Sequence, residues 1–134
     1  MDAIGRIGHA WLIPRGQGAA VHARDLTTAT LTAWGWPADR VEIAVLLVSE
    51  LVTNAHRHAG TDAWLHLDPI PDGARLAVRD NDPAPPVPRT PDLDRATGGF
   101  GLHLLDRLSA EWGVDGDSTG KRVWAHVLTC GPAG

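Results

Sequence analysis

The 134-residue sequence has few of the residues that carry much of protein chemistry: one cysteine, one lysine, three glutamates and no tyrosine. A single cysteine, Cys130, excludes an internal disulfide, and its position near the C-terminus offers no neighbouring base to activate the thiol. The absence of tyrosine excludes tyrosine chemistry. A mechanism that needs a glutamate base has only Glu42, Glu50 and Glu111 to draw on.

Concentrated positive charge and long apolar runs are also missing. Twelve basic residues stand against sixteen acidic ones, which gives a formal charge of -4. Because sequence-independent nucleic-acid binding needs a basic surface that displaces counterions, this class of partner is disfavoured. Apolar runs such as Val41 to Val48 are far shorter than the ~20 residues of a membrane span. With no basic and apolar leader, we expect a cytoplasmic protein that uses neither membrane nor nucleic acid.

The length suits a single domain with one core. Apolar periodicity predicts a strand, two helices, a hairpin, a proline-rich segment, a short helix and a second hairpin. The predicted bounds are His9 to Ile13, Ala19 to Trp34, Asp39 to Ala59, Ala63 to Leu67, Arg75 to Arg79, Leu102 to Leu108, Trp112 to Val114 and Arg122 to Leu128. This order indicates an α+β fold, a two-layer sandwich in which a mixed, mostly antiparallel sheet carries helices on one face.

Two further signals mark the long helix and the segment that follows the first hairpin. Asp39 with Glu42 three residues later has the form of a capping box, and Gly60 stands where the helix is expected to stop. Five prolines between residues 81 and 98 exclude a helix or central strand there, so this segment is predicted to be a lid loop.

Glu50 and Asn54 lie four residues apart on the long helix and therefore project from one face, with His58 continuing the line. An amide oxygen is a hard ligand suited to Mg²⁺, and a carboxylate one turn away can orient or deprotonate a nucleophile. The alternative is that both side chains lie on the solvent edge of an amphipathic helix.

Two other segments have residues suited to a nucleotide. Glycines 98 to 101, with Phe100 among them, precede a helix and can bring backbone N–H groups close to a phosphate, although a hinge or tight turn is the alternative. Asp80 ends a strand, where its carboxylate can accept a hydrogen bond from an adenine amino group, although such residues also start turns.

Three further sequence patterns are interpreted as structural features and not as functional sites. The segment 116–122 resembles a P-loop but is one residue short and joins two strands, so a hairpin turn is predicted. His56 and His58 point away from each other on a helix, which disfavours zinc. Trp11, Trp64, Trp112 and Trp124 fall on predicted strands, which favours sheet packing or a subunit interface.

Taken in order, these blocks resemble the GHKL ATPase superfamily of gyrase, MutL and the histidine kinases. They are Ser49 to Ala55 with Arg57 to Ala59, a strand ending in Asp80, a lid, Gly99 to Leu102, Trp112–Gly113, and Gly120 to Trp124. Within the superfamily the chain is similar to the small anti-sigma-factor serine kinases related to RsbW and SpoIIAB. The resemblance implies a single Bergerat-type ATP-binding domain over residues 1–134, with a lid at about 81–98.

The resemblance implies roles for four residues of the long helix. Glu50 matches the general base that acts on the attacking hydroxyl or water. Asn54 matches the asparagine that holds Mg²⁺ between the ATP phosphates. Arg57 and His58 are expected near those phosphates.

It also implies the rest of the nucleotide site, with ATP and Mg²⁺ as cofactors. Asp80 matches the aspartate that binds the adenine amino group. Gly99 and Gly101 match the glycines under the phosphates, and Phe100 and Leu102 belong to the same nucleotide-binding block. The sequence departs from the family pattern D-x-G-x-G at residues 82 and 84, which are Asp and Ala, and at residue 122, where arginine replaces a threonine that contacts the base edge.

The function implied is an anti-sigma factor and serine/threonine-protein kinase that uses Mg-ATP. Its expected partners are a sigma factor and a small antagonist protein, with a homodimer as a further expectation. The alternative is a non-catalytic, nucleotide-gated protein-interaction module of the same fold. A sensor-kinase ATPase domain ranks last, because no helix with a phosphoacceptor histidine precedes the Glu50 block.

Overall fold

The computed structural model describes residues 7–82 and 100–130, with the side chains of residues 100–103 excepted. Five strands and three helices lie within these residues. The strands are β1 (His9–Ile13), β2 (Ala63–Ile70), β3 (Gly73–Asp80), β4 (Glu111–Asp117) and β5 (Gly120–Leu128). The helices are α1 (Ala19–Ala33), α2 (Ala38–Ala59) and α3 (Phe100–Leu108). No helix among the described residues is long and apolar enough to cross a membrane.

The strands form one sheet in the order β1-β2-β3-β5-β4, and all four pairings are antiparallel. This confirms the α+β class, and the described sheet contains no parallel pair. The long crossing from β3 to its neighbour β5 is made by the segment that includes α3 and β4.

The sheet is buried on one face because its side chains alternate. In β2, the inward residues Ala63, Leu65 and Leu67 are fully buried, whereas the alternate residues Trp64 and Asp68 are exposed and His66 is half-buried. The inner face packs against a buried stripe on α2, and α1 and α3 lie against the same helix. The core therefore lies between the sheet and α2, as a two-layer sandwich requires.

The two ends of α2 bear on the predicted caps. The N-cap is Pro37 in an extended conformation, and no side chain caps the helix, so the predicted capping box at Asp39 is wrong. Proline has no amide N–H, so it leaves no donor without a partner at this end of the helix. The negative charge of Asp39 in the first turn still interacts favourably with the positive end of the helix dipole. At the other end the prediction is confirmed, because Gly60 adopts a left-handed conformation with φ of 69°.

The turn between β4 and β5 confirms that the segment resembling a P-loop is a hairpin. The paired residues Asp117 and Gly120 enclose only Ser118 and Thr119. The four strand tryptophans named above also lie on β1, β2, β4 and β5 as predicted.

Candidate functional site

The polar face of α2 begins the site. Glu50 and Asn54 are both half-buried, and they flank a stripe that contains the buried residues Leu47 and Leu51. The amide oxygen Oδ1 of Asn54 is buried and has no hydrogen-bond partner. A buried acceptor without a donor costs about 1–3 kcal/mol, so this oxygen is suited to a cation or donor supplied by a ligand. The predicted solvent-edge alternative does not account for the burial of Oδ1.

Arg57 and His58 lie in the last turn of α2 and are exposed. Arg57 lines a cavity of about 430 Å³ together with Arg15 and Thr53, between the start of α1 and the end of α2. Neither Glu50 nor Asn54 lines this cavity. Arg57 therefore lines this cavity without the Glu50–Asn54 pair, although all four candidates share one helix.

Asp80, the last residue of β3, forms a buried ion pair with Lys121 on β5. Asp80 is 3% exposed and Lys121 is 4% exposed. The ammonium nitrogen Nζ lies 3.1 Å from Oδ1 and 3.0 Å from Oδ2 of the carboxylate. Because Asp80 follows Val78 at an interval of two residues, this pair faces the helix layer, as do the core residues of β3.

The backbone after β3 completes the surroundings of this pair. The N–H of Asp82 donates to Oδ1 of Asp80 over 2.8 Å, and Lys121 Nζ donates to the carbonyl of Asp82 over 3.3 Å. Gly120 packs so closely that an added Cβ would lie 2.1 Å from the carbonyl oxygen of Asp80. Glycine is therefore required where β5 passes the end of β3.

The glycine block lies partly within the described residues. Phe100, Gly101 and Leu102 form the first turn of α3, two residues earlier than the predicted helix start. Gly99 lies outside the described residues, as do Ala84 and most of the predicted lid, 81–98.

The sequence patterns did not identify Lys121 as a site residue, whereas its neighbour Arg122 was noted as a departure from the family pattern. Arg122 pairs in register with Arg79 and Asp115, so it lies on the outer face of the sheet, away from Asp80. Strand alternation was the available signal, because Lys121 lies at even intervals from Ala125 and Val127, which are buried on the inner face of β5.

The outer face of the sheet, opposite the helices, carries several charged side chains and is separate from the candidate site. Arg122 contributes to a lowered pKa of His66, after the larger effect of burial, with Arg79 and Arg75 acting in the same direction and Asp68 opposing. The guanidinium of Arg75 also lies 4.9 Å from the ring centroid of Trp124. These residues form a layer of arginine and aromatic side chains on the face opposite the helices.

Within the described residues, the protein offers few ligands for a metal. In residues 7–82 and 100–130, no group of three or more His, Cys, Asp or Glu side chains is placed to hold an ion. Magnesium commonly takes one or two protein ligands and completes its shell with phosphates and water. The unpartnered Oδ1 of Asn54 fits that use, as a neutral hard oxygen one helical turn from Glu50.

The sequence of residues 14–127 matches the family described as the histidine kinase-like ATPase domain. The chain belongs to this family. Family membership confirms the resemblance to the GHKL ATPases and implies nucleotide binding. No curated protein matches the sequence. The fold is similar to a chain in the crystal structure of the SiaB-SiaC complex from Pseudomonas aeruginosa, with a TM-score of 0.66 and 11% identity, over 92% of this chain and 90% of that one.

Proposed function

We propose that this histidine kinase-like ATPase domain binds Mg-ATP and acts in the cytoplasm as an anti-sigma factor and serine/threonine-protein kinase. The observation that carries the proposal is the buried, unpartnered Oδ1 of Asn54, one helical turn from Glu50. Family membership over residues 14–127 supports nucleotide binding independently of this atom.

Each candidate residue has a role in this proposal. Asn54 contributes its amide oxygen to Mg²⁺, which supplies neutralisation of phosphate charge when bound. Glu50 accepts the proton of a serine or threonine hydroxyl while the hydroxyl oxygen bonds to the γ-phosphorus and ADP leaves. Arg57 or His58, in the last turn of α2, lies near the phosphates in this proposal.

The remaining candidates bind the nucleotide. Asp80 accepts a hydrogen bond from the adenine amino group. The block Gly99 to Leu102 offers backbone N–H groups to the phosphates at the start of α3.

The expected partners are a sigma factor and a small antagonist protein that receives the phosphoryl group. That the similar fold occurs in a SiaB-SiaC complex supports a role through protein contacts. A homodimer is also proposed, because Leu12 on edge strand β1 and its cross-strand neighbour Trp64 are 43% and 45% exposed. Light scattering tests the dimer, and a monomeric mass at micromolar concentration would contradict it.

Calorimetric titration with ATP, with and without Mg²⁺, tests the binding part of the proposal. Asn54→Ala is expected to weaken Mg-ATP binding by roughly tenfold or more, and to have little effect without Mg²⁺. Ser49→Ala is the matched control, because Ser49 lines a groove between α1 and α2 on another side of the helix. A wild-type protein that binds no Mg-ATP would overturn the proposal.

Transfer of labelled γ-phosphate to an antagonist encoded beside the gene tests the kinase part, with Glu50→Gln expected to abolish it. The alternative function is a non-catalytic, nucleotide-gated interaction module. Asp82 favours this alternative, because it stands where the family pattern has glycine. Its backbone N–H donates to the side chain of Asp80, and its carbonyl accepts from the side chain of Lys121. Binding of Mg-ATP without transfer to any cognate partner would support this alternative.

A further inference from the structure

The buried pair of Asp80 and Lys121 raises a question that stability does not answer. Taking two charges out of water costs several kcal/mol for each ion, so a buried pair is often no more stabilising than an apolar pair of similar size. Yet the only lysine of the sequence is placed 3.0 Å from the carboxylate at the end of β3. This placement calls for a role beyond packing.

Lys121 and Asp80 differ in how much of their hydrogen-bonding capacity is used within the pair. A lysine ammonium has three N–H donors, and Lys121 donates to Oδ1 of Asp80 and to the carbonyl of Asp82. Its Nζ also lies 3.0 Å from Oδ2 of Asp80 as an ion pair. The ammonium group is therefore held by oxygens at the end of β3.

The carboxylate, by contrast, keeps capacity to accept. Each carboxylate oxygen accepts about two hydrogen bonds. Oδ1 of Asp80 accepts hydrogen bonds from Lys121 Nζ and from the N–H of Asp82, whereas Oδ2 has only the ion pair with Lys121 Nζ among the described residues. One direction at Oδ2 remains for a donor from a ligand.

We propose that Lys121 is a positioning residue for base selection: it holds Asp80 as an oriented acceptor whose Oδ2 takes a hydrogen bond from the 6-amino group of an adenine nucleotide. The inference rests on the proposed nucleotide binding and adds the residue that sets base preference. A 6-oxopurine offers an acceptor where adenine offers a donor, so it meets the carboxylate oxygen unfavourably. Without Lys121, the carboxylate loses its cation and one of the two hydrogen bonds that orient it.

The experiment compares the dissociation constants of Mg-ATP and Mg-ITP by calorimetry, since inosine carries a 6-oxo group. The wild-type protein is expected to prefer ATP by roughly tenfold or more, the usual effect of an unmet buried hydrogen bond. Lys121→Met is expected to bring the ratio of the two constants close to one. Lys121→Arg keeps a cation beside the carboxylate and is expected to restore much of the preference.

Arg122→Met is the matched control, because it removes the adjacent cation from the outer face of the same strand. It is expected to leave the ratio unchanged. Circular dichroism establishes that each variant is folded. If Lys121→Met does not fold, Lys121→Gln is used instead, because glutamine keeps a polar group against Asp80. The preference of this variant for Mg-ATP over Mg-ITP is also expected to fall.

Two results overturn the inference and are distinguishable. A wild-type protein that binds neither nucleotide overturns the proposed function and this inference with it. A wild-type protein that prefers ATP, with the same ratio in the folded Lys121 variants, leaves nucleotide binding intact and assigns Lys121 a structural role only.

Discussion

Strand β3 carries ion pairs on both faces of the sheet, with β5 on the inner face and with β4 on the outer face, and the two faces hold them in opposite environments. On the inner face, Asp80 and Lys121 are almost inaccessible. On the outer face, Arg79 lies 3.5 Å from Asp117, with side chains 29% and 59% exposed. Strand alternation alone separates residue 79 from residue 80 in this way. The outer ion pair is therefore screened by water, whereas each buried charge of the inner pair depends on the other for stabilisation.

The largest expected effect comes from breaking the inner pair on one side only. Lys121→Met leaves the Asp80 carboxylate buried without its cation, and we expect the free energy of unfolding to fall by about 3–5 kcal/mol. Urea unfolding measures this loss. The double variant Asp80→Leu/Lys121→Met removes both charges and is expected to recover most of it. Additive losses in the double variant would contradict a coupled pair.

The close approach of β5 to the end of β3 gives the second effect. Gly120→Ala adds a Cβ that would lie 2.1 Å from the Asp80 carbonyl oxygen, and we expect a loss of roughly 1–3 kcal/mol in the free energy of unfolding. Gly116→Ala is the matched control in β4, where the nearest atoms to an added Cβ lie at 3.6 and 3.8 Å. Equal losses in urea unfolding of the two variants would show that the contact beside Asp80 is not special.

A smaller effect is expected from the outer pair of Arg75 and Asp115, whose charged groups lie 3.7 Å apart at 34% and 67% exposure. Asp115→Asn removes one charge from a solvated pair, and we expect the free energy of unfolding to change by no more than about 0.5 kcal/mol. Urea unfolding at low and high salt measures it, and salt is expected to erase the difference. A loss comparable to that of Lys121→Met would remove the contrast between the faces.

The smallest effect concerns the turn that joins β4 to β5. The hydroxyl of Thr119, followed by its backbone N–H, donates to Asp117 and lowers the pKa of this carboxyl to about 2. Thr119→Val removes the hydroxyl and is expected to raise the pKa of Asp117 toward its ordinary value. Carbon-detected NMR titration measures the shift, and an unchanged pKa would contradict the assigned cause.

This shift has a definite sign for stability. Because the folded-state pKa lies below the unfolded value of 3.8, the contribution of Asp117 is present above that value and is lost as the pH falls through about 2. In Thr119→Val, the folded and unfolded pKa values are closer together. That variant is therefore expected to have less of this contribution to lose on acidification.

Element types and the long helix could be predicted because their signals are local. Alternation located the strands, and Gly60 ended α2 as its freedom at positive φ requires. The start of α2 was less readable, because Asp39 with Glu42 matches a capping box while Pro37 provides the actual start. A cap depends on backbone geometry that the residue types suggest and do not determine.

The site was predicted unevenly for a similar reason. Glu50 and Asn54 share a helix, so their spacing alone puts them on one face. Lys121 faces Asp80 across 41 residues of sequence, and their contact depends on the pairing of β3 with β5, two strands that α3 and β4 separate in the chain. Local sequence patterns leave that long-range register open, and a shift of one residue would place Arg122 opposite Asp80 instead of Lys121. The roles proposed for these residues remain predictions.

The burial of Lys121 also gives the protein an unusual chemical surface. Lys121 carries the only side-chain amine in the sequence, and it is 4% exposed, so positive charge on the outside of the described residues comes from guanidinium groups. An amine-selective acylating reagent can therefore modify a side chain of this protein only when β3 and β5 separate at that end. The rate of that single modification would report how often this edge of the site opens in the folded protein.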